Sequence, residues 1–436
     1  MSVDDRAVQR PPGGLAERLA GFSRTFWVAN ILELFERFAF YGAKAVLVIY
    51  LAEKVGLGPQ TAGTLAGLFS GVLYCLPILA GTVVDRYGFK KSLAACFTIF
   101  CLGYFLLGLA GMRFGESIVE TVGRGPYIAA VLLLTAIGGS LIKPCIVGTV
   151  ARTTAPDVRS LGFSIYYTLV NLGGAIGPIL ALQVRENLGI EFVLVTSSIV
   201  SLLCLLGTLV FFREPAAVPR APGEAAPTFG KVLRDMLLVF GNLRFIGFLV
   251  IFSGFWIMFW QVFYSLPFYL TEVLRFERFE LIETVDALTL IIVTVPVAAL
   301  VRRWRPIRAM TAGFAVASFS WLLIAFIPTW QAAVVAMAIF ALGEAMQAPR
   351  FYEYVANLAP KDQVGTFMGF AFLPVAIGSF VAGPLAGWLV ERYVRGGNPA
   401  TMWWVIAGIG FVSTVLMVLY DRLWAPKSDG ELPAAA

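Results

Sequence analysis

The chain has 436 residues, of which 59% are hydrophobic and only 14% are charged, and its formal net charge is +6. A soluble domain carries roughly 25% charged residues and cannot bury this much apolar surface in one core. The composition therefore excludes an ordinary soluble protein and predicts a chain that crosses a lipid bilayer many times. The basic excess does not indicate a nucleic-acid partner, because Lys and Arg lie mainly in the short segments between apolar runs.

Apolar runs long enough to cross a hydrocarbon layer of roughly 30 Å recur along the whole sequence. In chain order they cover residues 25–51, 60–83, 91–111, 126–151, 159–184, 191–212, 243–271, 279–301, 307–327, 330–356, 363–392 and 400–424. Proline inside several runs, including Pro77 and Pro144, predicts kinks beside cavities. The pattern predicts an all-α membrane protein with twelve transmembrane helices in two six-helix bundles, the plan of transporters that bind their solute between two halves.

A polar stretch rich in Pro and Ala separates the sixth run from the seventh and sets the domain boundaries. We expect a cytoplasmic N-terminal tail at 1–24, an N-terminal bundle at 25–212, a cytoplasmic linker at 213–240, a C-terminal bundle at 241–424 and a C-terminal tail at 425–436. Lys and Arg concentrate in the linker and in alternate loops, which predicts that both termini are cytoplasmic. The first residues have no apolar core typical of a secretory signal. We therefore predict a multi-pass protein of the cell's inner (plasma) membrane, complete as a monomer.

The sequence lacks the motifs on which enzymes rely. It has no histidine, and its five cysteines lie inside apolar runs without metal-ligand spacing. We therefore expect no His-based catalysis, no metal site and no disulfide framework, and any proton relay must use carboxylates. No nucleophile–base pair or Gly-rich phosphate loop is evident. These features predict a protein that is not an enzyme and needs no cofactor.

Charged residues inside the first apolar run are the most informative feature of the sequence. Glu33, Glu36 and Arg37 stand at i, i+3 and i+4 and share one helix face, which Tyr41 and Lys44 continue. An ionised side chain at the bilayer centre costs about 2.5–3.5 kcal/mol on insertion scales. These side chains must therefore face the interior of the protein, where charges can pair.

Partners for these charges occur in other runs: Lys143 in the fourth, Asp286 in the eighth and Glu344 in the tenth. Four acids against three bases is near balance, as a buried network requires. A purely structural clamp is the alternative, but buried charges contribute little net stability, so seven of them favour a function. Polar and aromatic side chains in the runs predict a wet cavity for a polar, zwitterionic solute: Tyr41, Tyr74, Tyr166, Tyr167, Asn171, Trp256, Trp260, Gln261 and Gln347.

The loop between the second and third runs, GTVVDRYGFKKS, resembles the signature loop of the major facilitator superfamily. The matching residues are Gly81, Asp85, Arg86, Gly88, Lys90 and Lys91. The resemblance implies that the Asp and the basic groups fasten the cytoplasmic ends of helices together, as a cytoplasmic gate. It also implies the twelve-helix fold of that superfamily.

Further stretches resemble, in chain order, motifs of the proton-dependent oligopeptide transporters: ELFERFAFYG, IKPC, YYTLVNLGG, FWIMFWQ, and GEAMQAP with the run that follows it. The resemblance implies a proton-coupled symporter that imports small zwitterionic solutes, di- and tripeptides, by alternating access. Proton-coupling roles then fall on Glu33, Glu36, Arg37 and Lys143. Substrate-binding roles fall on Arg37, Tyr41, Lys44, Tyr74, Lys143, Asn171, Trp256, Trp260, Gln261, Asp286 and Glu344. Within this set, Arg37 and Lys143 attract the carboxylate of a peptide and Glu344 receives its amino terminus.

The sequence departs from that family's pattern at several points. Trp260 stands where the family has a helix 7 acid, Lys44 replaces an arginine, and Ala371 replaces a tryptophan. Because the helix 7 acid normally pairs with the helix 4 lysine, either Asp286 or a helix 1 acid is expected to become the partner of Lys143. The departures leave a second hypothesis open, a superfamily transporter of an organic anion, antibiotic or drug, moved inward or outward. A receptor or scaffold without transport is a third.

Overall fold

The computed structural model describes residues 19, 21–155, 158–215, 229–359 and 364–424. Most of the predicted N-terminal tail, residues 216–228 of the linker and the C-terminal tail lie outside this part. In the first half, the spans α1 to α6 are Arg24–Ile49, Gly58–Cys75 with Pro77–Tyr87, Phe89–Leu109, Arg124–Gly139 with Ile142–Thr153, Arg159–Asn187 and Ile190–Phe211. In the second half, α7 to α12 are Leu243–Tyr264 with Leu266–Phe268, Phe279–Val301, Pro306–Phe326, Trp330–Leu358, Val364–Phe370 with Leu373–Leu389, and Pro399–Leu423.

The length and composition of these spans agree with the hydropathy pattern. Within the described ranges, ten spans are long and apolar enough to cross a bilayer, and α2 is the eleventh when its two segments, bent by 50° at Pro77, count as one. The remaining span is α1, which carries Glu33, Glu36, Arg37 and Lys44, all buried among its neighbours. The predicted all-α, twelve-helix fold in two bundles is confirmed.

The two halves repeat one packing plan. In the first half, α1 packs against α5, α2 against α4 and α3 against α6. The same pairs recur in the second half with six added to each number: α7 with α11, α8 with α10 and α9 with α12. Across the halves, α2 packs against α11 and α5 against α8. Such an internal repeat places the interior side chains of both halves around one central region.

Because successive spans run in opposite directions, the bundle has two distinct ends. The linker end is where α1 begins and where α6 and α12 end, and the distal end is where α1, α7 and α11 end. The sequence predicts that the linker end is cytoplasmic. In the described part of the chain, three π-helical turns lie at the distal end, at Tyr50–Lys54, Tyr269–Val273 and Val390–Val394. Turns of this kind are rare and occur frequently at functional sites.

Glycines bring the backbones of α2 and α11 into contact in their distal halves. A Cβ atom on Gly67 would lie 2.7 Å from the carbonyl oxygen of Ser379 and 2.8 Å from the Cα atom of Gly383. Gly63 and Gly387 belong to the same contact, each facing backbone atoms of the other helix. Small residues allow two helices to approach this closely, so the contact seals the distal half of the interface between the bundles.

In the transporter that the sequence predicts, Gly67→Ala is expected to reduce transport of solute at least tenfold, because a methyl group at this position must separate α2 from α11. Overpacking at a tight contact costs about 1–3 kcal/mol, and here that energy opposes distal closure. Initial rates of uptake into reconstituted vesicles measure the effect. Gly408→Ala is the matched control, since a Cβ atom there has no neighbour within 4 Å. Equal rates for both variants would contradict the assigned role of the contact.

Within the described residues, two short helices lie outside the predicted runs. Phe229–Phe240 occupies the second half of the predicted linker and contacts the linker-end segments of α2 and α11. The rings of Phe240 and Phe370 are 5.4 Å apart. Arg113–Val122 follows α3 at the distal end. Both are too short to be found as spans, and each has apolar residues along one face, as expected of helices lying at a membrane surface.

Candidate functional site

Four charged side chains of α1 and α4 form one buried group, the α1 cluster, which consists of Glu33, Glu36, Arg37 and Lys143. The Arg37 guanidinium lies 2.5 Å from Glu36 Oε2 and 3.6 Å from Glu33 Oε1. Lys143 Nζ lies 3.1 Å from the same oxygen of Glu33. Two carboxylates thus face two cations, and the cluster is neutral when all four groups are ionised. Neutrality is what allows four charges to remain buried together.

Lys143 connects the α1 cluster to its surroundings. Its ammonium group donates a hydrogen bond of 2.8 Å to the hydroxyl of Tyr166 on α5. The Lys143 side chain is 21% exposed, whereas those of Glu33, Glu36 and Arg37 are at most 4% exposed. The partner of Lys143 in this structure is therefore Glu33, one of the helix 1 acids that the sequence analysis offered as alternatives to Asp286.

Two carboxylate oxygens of the α1 cluster accept no hydrogen bond, and a small cavity lies beside the cluster. Glu33 Oε2 and Glu36 Oε1 are buried without a hydrogen-bond partner. A cavity of about 20 Å³ is lined by Arg37, Tyr74 and Lys143. On α5, Gly173 makes room for Arg37, since a Cβ atom there would collide with the arginine side chain. The cluster is thus packed closely by α5, and the cavity lies on its other side, where Phe100 and Phe372 also line it.

Lys44 lies apart from the α1 cluster, farther toward the distal end of α1. Its ammonium group donates a 2.6 Å hydrogen bond to Ser70 Oγ and lies 3.9 Å from the ring centroid of Trp260. The Trp260 indole donates to the carbonyl oxygen of Val375 at 3.0 Å. Trp260, which stands where the oligopeptide transporters have a helix 7 acid, therefore holds Lys44 by a cation–π contact. This contact joins α1 to α7 across the two halves.

Tyr264, which the sequence analysis did not single out, links three helices near Lys44. Its hydroxyl lies 2.9 Å from Ser70 Oγ on α2 and 3.0 Å from Ser379 Oγ on α11. Its ring stacks on that of Trp260, with centroids 5.7 Å apart. These contacts extend the distal seal into the interior of the protein.

The other predicted residues of α7 face α11. Gln261 is fully buried, and its amide donates to the carbonyl oxygen of Ala382 at 3.3 Å. Trp256 is half-buried and packs on Phe259, with ring centroids 5.0 Å apart. Gln261 therefore lies in the interface between α7 and α11. It lines neither the cavity beside the α1 cluster nor a larger cavity between the two halves. Its predicted contact with a solute needs a rearrangement of α7 against α11.

A second cavity, of about 70 Å³, lies between the two halves. Tyr41 of α1 and Asn171 of α5 line it from the first half, and Asp286 of α8 and Glu344 of α10 line it from the second. The structure thus brings four of the predicted substrate residues together. It adds Glu283, which the sequence analysis missed although it stands three residues before Asp286 on the same helix face.

The signature loop lies at the linker end and contacts its own half. Asp85 pairs with Arg152 at the end of α4, at 3.5 Å. Gly88 ends α2 with φ 86°, a conformation that favours glycine. Arg86 and Lys91 are exposed, and the position of Gly81 has open space around it.

Glu214, just after α6, fixes the start of α3 beside this loop. Its carboxylate accepts hydrogen bonds from the backbone N–H groups of Phe89 at 2.7 Å and Lys90 at 2.8 Å. A carboxylate at a helix N-terminus also interacts favourably with the helix dipole. Lys90 Nζ donates to the carbonyl oxygen of Leu209 at 2.8 Å. The loop therefore holds α2, α3, α4 and α6 together within the first half.

Ion pairs between the halves form a distal gate. Arg395, after α11, lies 2.6 Å from Glu53 of the first half and 2.8 Å from Glu272. Arg185 of α5 pairs with Glu280 of α8 at 2.5 Å. The gate also contains the pair Arg278–Glu186, at 2.8 Å. Among the residues that the structure describes, every ion pair between the halves lies at this end, so the central region is closed on the distal side.

Arg395→Gln is expected to shift the protein about fivefold toward a distal-open state, because partly exposed ion pairs contribute up to about 1 kcal/mol each. Spin labels on Thr121 and Gln331, exposed positions of opposite halves, report the distal separation in a variant without native cysteines. Lys54→Gln is the control, since Lys54 pairs with Glu191 of its own half at 3.0 Å. An unchanged distance distribution for Arg395→Gln would show that the gate does not hold the halves together.

Two repeated six-helix bundles, a neutral buried charge cluster and a gate between the halves at one end define a multi-pass membrane transporter. The family model of the Major Facilitator Superfamily matches residues 29–285 and 278–436. The chain belongs to the major facilitator superfamily, as its signature loop predicted.

Relatives of similar sequence and solved structures of similar fold match this chain over most of its length. The multidrug resistance protein MdtH of Klebsiella pneumoniae (strain 342) is 24% identical over 381 residues, covering 86% of this chain and 88% of the relative. MdtH of Sodalis glossinidius (strain morsitans) is 25% identical over 390 residues, covering 88% and 89%. A POT family transporter crystallised with 5-aminolevulinic acid has a TM-score of 0.74 at 17% identity, covering 93% of this chain and 99% of that chain. The POT family transporter PepTSo has a TM-score of 0.74 at 18% identity, covering 92% and 98%. At these identities the structural likeness shows a shared fold.

Proposed function

We propose that the protein is a proton-coupled symporter of the oligopeptide-transporter type, which imports small zwitterionic solutes such as di- and tripeptides by alternating access. One observation supports this most strongly: cationic and anionic groups reach the central region from opposite halves. Arg37 and Lys143 come from the first half, and Glu344 comes from the second. A zwitterion needs an anionic and a cationic partner held apart, and charge-assisted hydrogen bonds to both ends would draw the halves together.

The charge balance of the α1 cluster explains how proton binding is coupled to solute binding. Protonation of Glu36 removes the closer partner of Arg37 and leaves Glu33 to neutralise both Arg37 and Lys143. One buried positive charge is then uncompensated, which is strongly unfavourable until a substrate carboxylate arrives. Loss of the proton restores the pairing and releases the substrate. Proton and solute therefore move together.

The same proposal includes the orientation of the protein in the membrane. The linker end and both termini lie in the cytoplasm, the membrane is the inner (plasma) membrane, and a monomer contains the whole site. The closed distal gate then lies on the outer side of the membrane. A membrane potential contributes about 2.3 kcal/mol per charge per 100 mV, enough to accumulate solute severalfold.

Export of drugs is a second candidate function. The relatives named multidrug resistance protein MdtH favour it, as does the aromatic Trp260 at a position where oligopeptide transporters carry an acid. An aromatic wall suits amphipathic cations better than it suits peptides. The two candidates differ in substrate and direction, and they share the fold.

A thermal-shift and uptake screen at two pH values separates these functions. Purified protein is tested with di- and tripeptides, single amino acids and cationic drugs, and vesicles carry an imposed pH gradient. Symport of peptides predicts stabilisation by dipeptides and saturable uptake that increases with an inside-alkaline gradient. Stabilisation by drugs alone would favour export, and the absence of any saturable flux would favour a scaffold.

A further inference from the structure

Three carboxylates surround the cavity between the halves, and we call them the acidic chamber: Glu283, Asp286 and Glu344. Glu283 and Asp286 lie one turn apart on α8, and Glu344 comes from α10. Tyr41 and Asn171 form the opposite wall, from the first half. Of these three, the proposed function uses Glu344 alone: Glu283 was not predicted from the sequence, and Asp286 was predicted to bind substrate without a stated partner group.

The carboxylates of the chamber lack protein partners. Glu283 is only 4% exposed, and neither of its carboxylate oxygens has a hydrogen-bond partner. Asp286 is 9% exposed with Oδ1 unpartnered, and Glu344 Oε2 is also unpartnered. Buried polar groups in native proteins are nearly always satisfied, so unpartnered carboxylates lining a cavity point to a ligand that supplies donors.

Protein cations are held away from the chamber. The ammonium group of Lys44 is bound to Ser70 and lies over Trp260. Arg185 is engaged by Glu280, one turn closer to the distal end on α8. No ion pair of the chamber acids occurs within the described part of the chain. The chamber therefore carries an excess of acidic groups that a bound cation can neutralise.

The shape of the chamber favours an organic cation over a metal ion. In the residues that the structure describes, no three acidic, Cys or His side chains converge closely enough to hold a metal ion. The acids instead border a space of about 70 Å³, and Phe259 and Phe263 are part of its lining. Aromatic rings pack against the methylene groups of an alkylamine and attract its ammonium group. The cavity has room for an aminoalkyl group.

From these observations we infer that the acidic chamber binds a second ammonium group, so that the protein prefers solutes carrying two amino groups. This inference rests on the proposed function, in which Glu344 holds the amino terminus of a peptide. Glu283 and Asp286 then receive the cationic side chain of a basic dipeptide. The same site holds a simple diamine, with one ammonium group at Glu344 and the other between the two acids of α8.

Binding of simple amines to the purified full-length protein tests the chamber directly. We expect 1,5-diaminopentane to bind at least tenfold more tightly than 1-aminopentane, measured by calorimetry, because the second ammonium group gains charge-assisted hydrogen bonds. Glu283→Gln, and separately Asp286→Asn, should abolish this preference. Glu120→Gln is the matched control, since Glu120 is 57% exposed on the distal surface. Equal affinities for the two amines, or an unchanged preference in both variants, would overturn the inference.

Folding of the variants does not confuse this test, since Glu283→Gln removes an unpaired buried charge and should leave the melting temperature equal or higher. Uptake of Ala-Lys and Ala-Ala then separates the inference from the proposed function. If Ala-Ala enters but Ala-Lys has no advantage that depends on Glu283, the chamber inference fails while peptide symport stands. If neither dipeptide enters and the diamine preference still depends on Glu283, peptide symport fails while the chamber stands.

Discussion

Glu36→Gln is expected to abolish accumulation of solute against its gradient while leaving exchange of solute across the membrane intact. The amide resembles a carboxyl group that never loses its proton, so the α1 cluster keeps an uncompensated positive charge at every pH. Substrate can still bind and the halves can still rock, but no proton is released. With one pH unit across the membrane and one proton per solute, accumulation should fall from about tenfold to none.

Two assays on the same vesicles check this prediction. Uptake of Ala-Ala driven by an inside-alkaline gradient measures accumulation, and counterflow without a gradient measures exchange. The matched control is Glu120→Gln, which removes a carboxylate from the distal surface and should affect neither assay. Accumulation retained by Glu36→Gln would show that Glu36 is not the proton carrier.

The fold could be predicted from the sequence because a bilayer imposes a simple rule on the chain. Each span must present about 20 predominantly apolar residues, so twelve runs of hydropathy identified the twelve spans. The same rule exposed α1, where the charges at Glu33, Glu36 and Arg37 are tolerable only in an interior. The linker helix Phe229–Phe240 escaped prediction, since no comparable rule applies to a short helix at the membrane surface.

The candidate site was predictable only in part, for physical reasons. Spacing along one helix fixes which side chains share a face, but it does not determine which helices meet. The sequence therefore left Asp286 and the α1 acids as alternative partners of Lys143, and only the packing of α1 against α4 selects Glu33. The distal gate was missed because residues such as Arg395 lie outside the apolar runs, where charges ordinarily face water.

Lys143→Met should be among the most destabilising single substitutions in the protein. Methionine has a similar volume, but the only cation it leaves beside Glu33 is Arg37 at 3.6 Å, which Glu36 already engages more closely, together with a 3.4 Å hydrogen bond from the Tyr166 hydroxyl. Removing one partner of a buried ion pair costs about 3–5 kcal/mol. The melting temperature of purified protein should fall clearly. The partly exposed pair Lys54–Glu191 offers a matched control, because Lys54→Met removes an interaction that contributes at most about 1 kcal/mol.

The double variant Glu33→Gln, Lys143→Met then separates a structural clamp from a working site. It restores electrical neutrality, because Glu36 and Arg37 still balance each other, so most of the lost stability should return. If the cluster were only a clamp, transport would return as well. We expect a stable protein whose uptake does not exceed that of empty vesicles, since Lys143, which holds the substrate carboxylate together with Arg37 in the proposed function, is absent. A double variant that both melts and transports like the native protein would mean that the charges of α1 only hold the helices together.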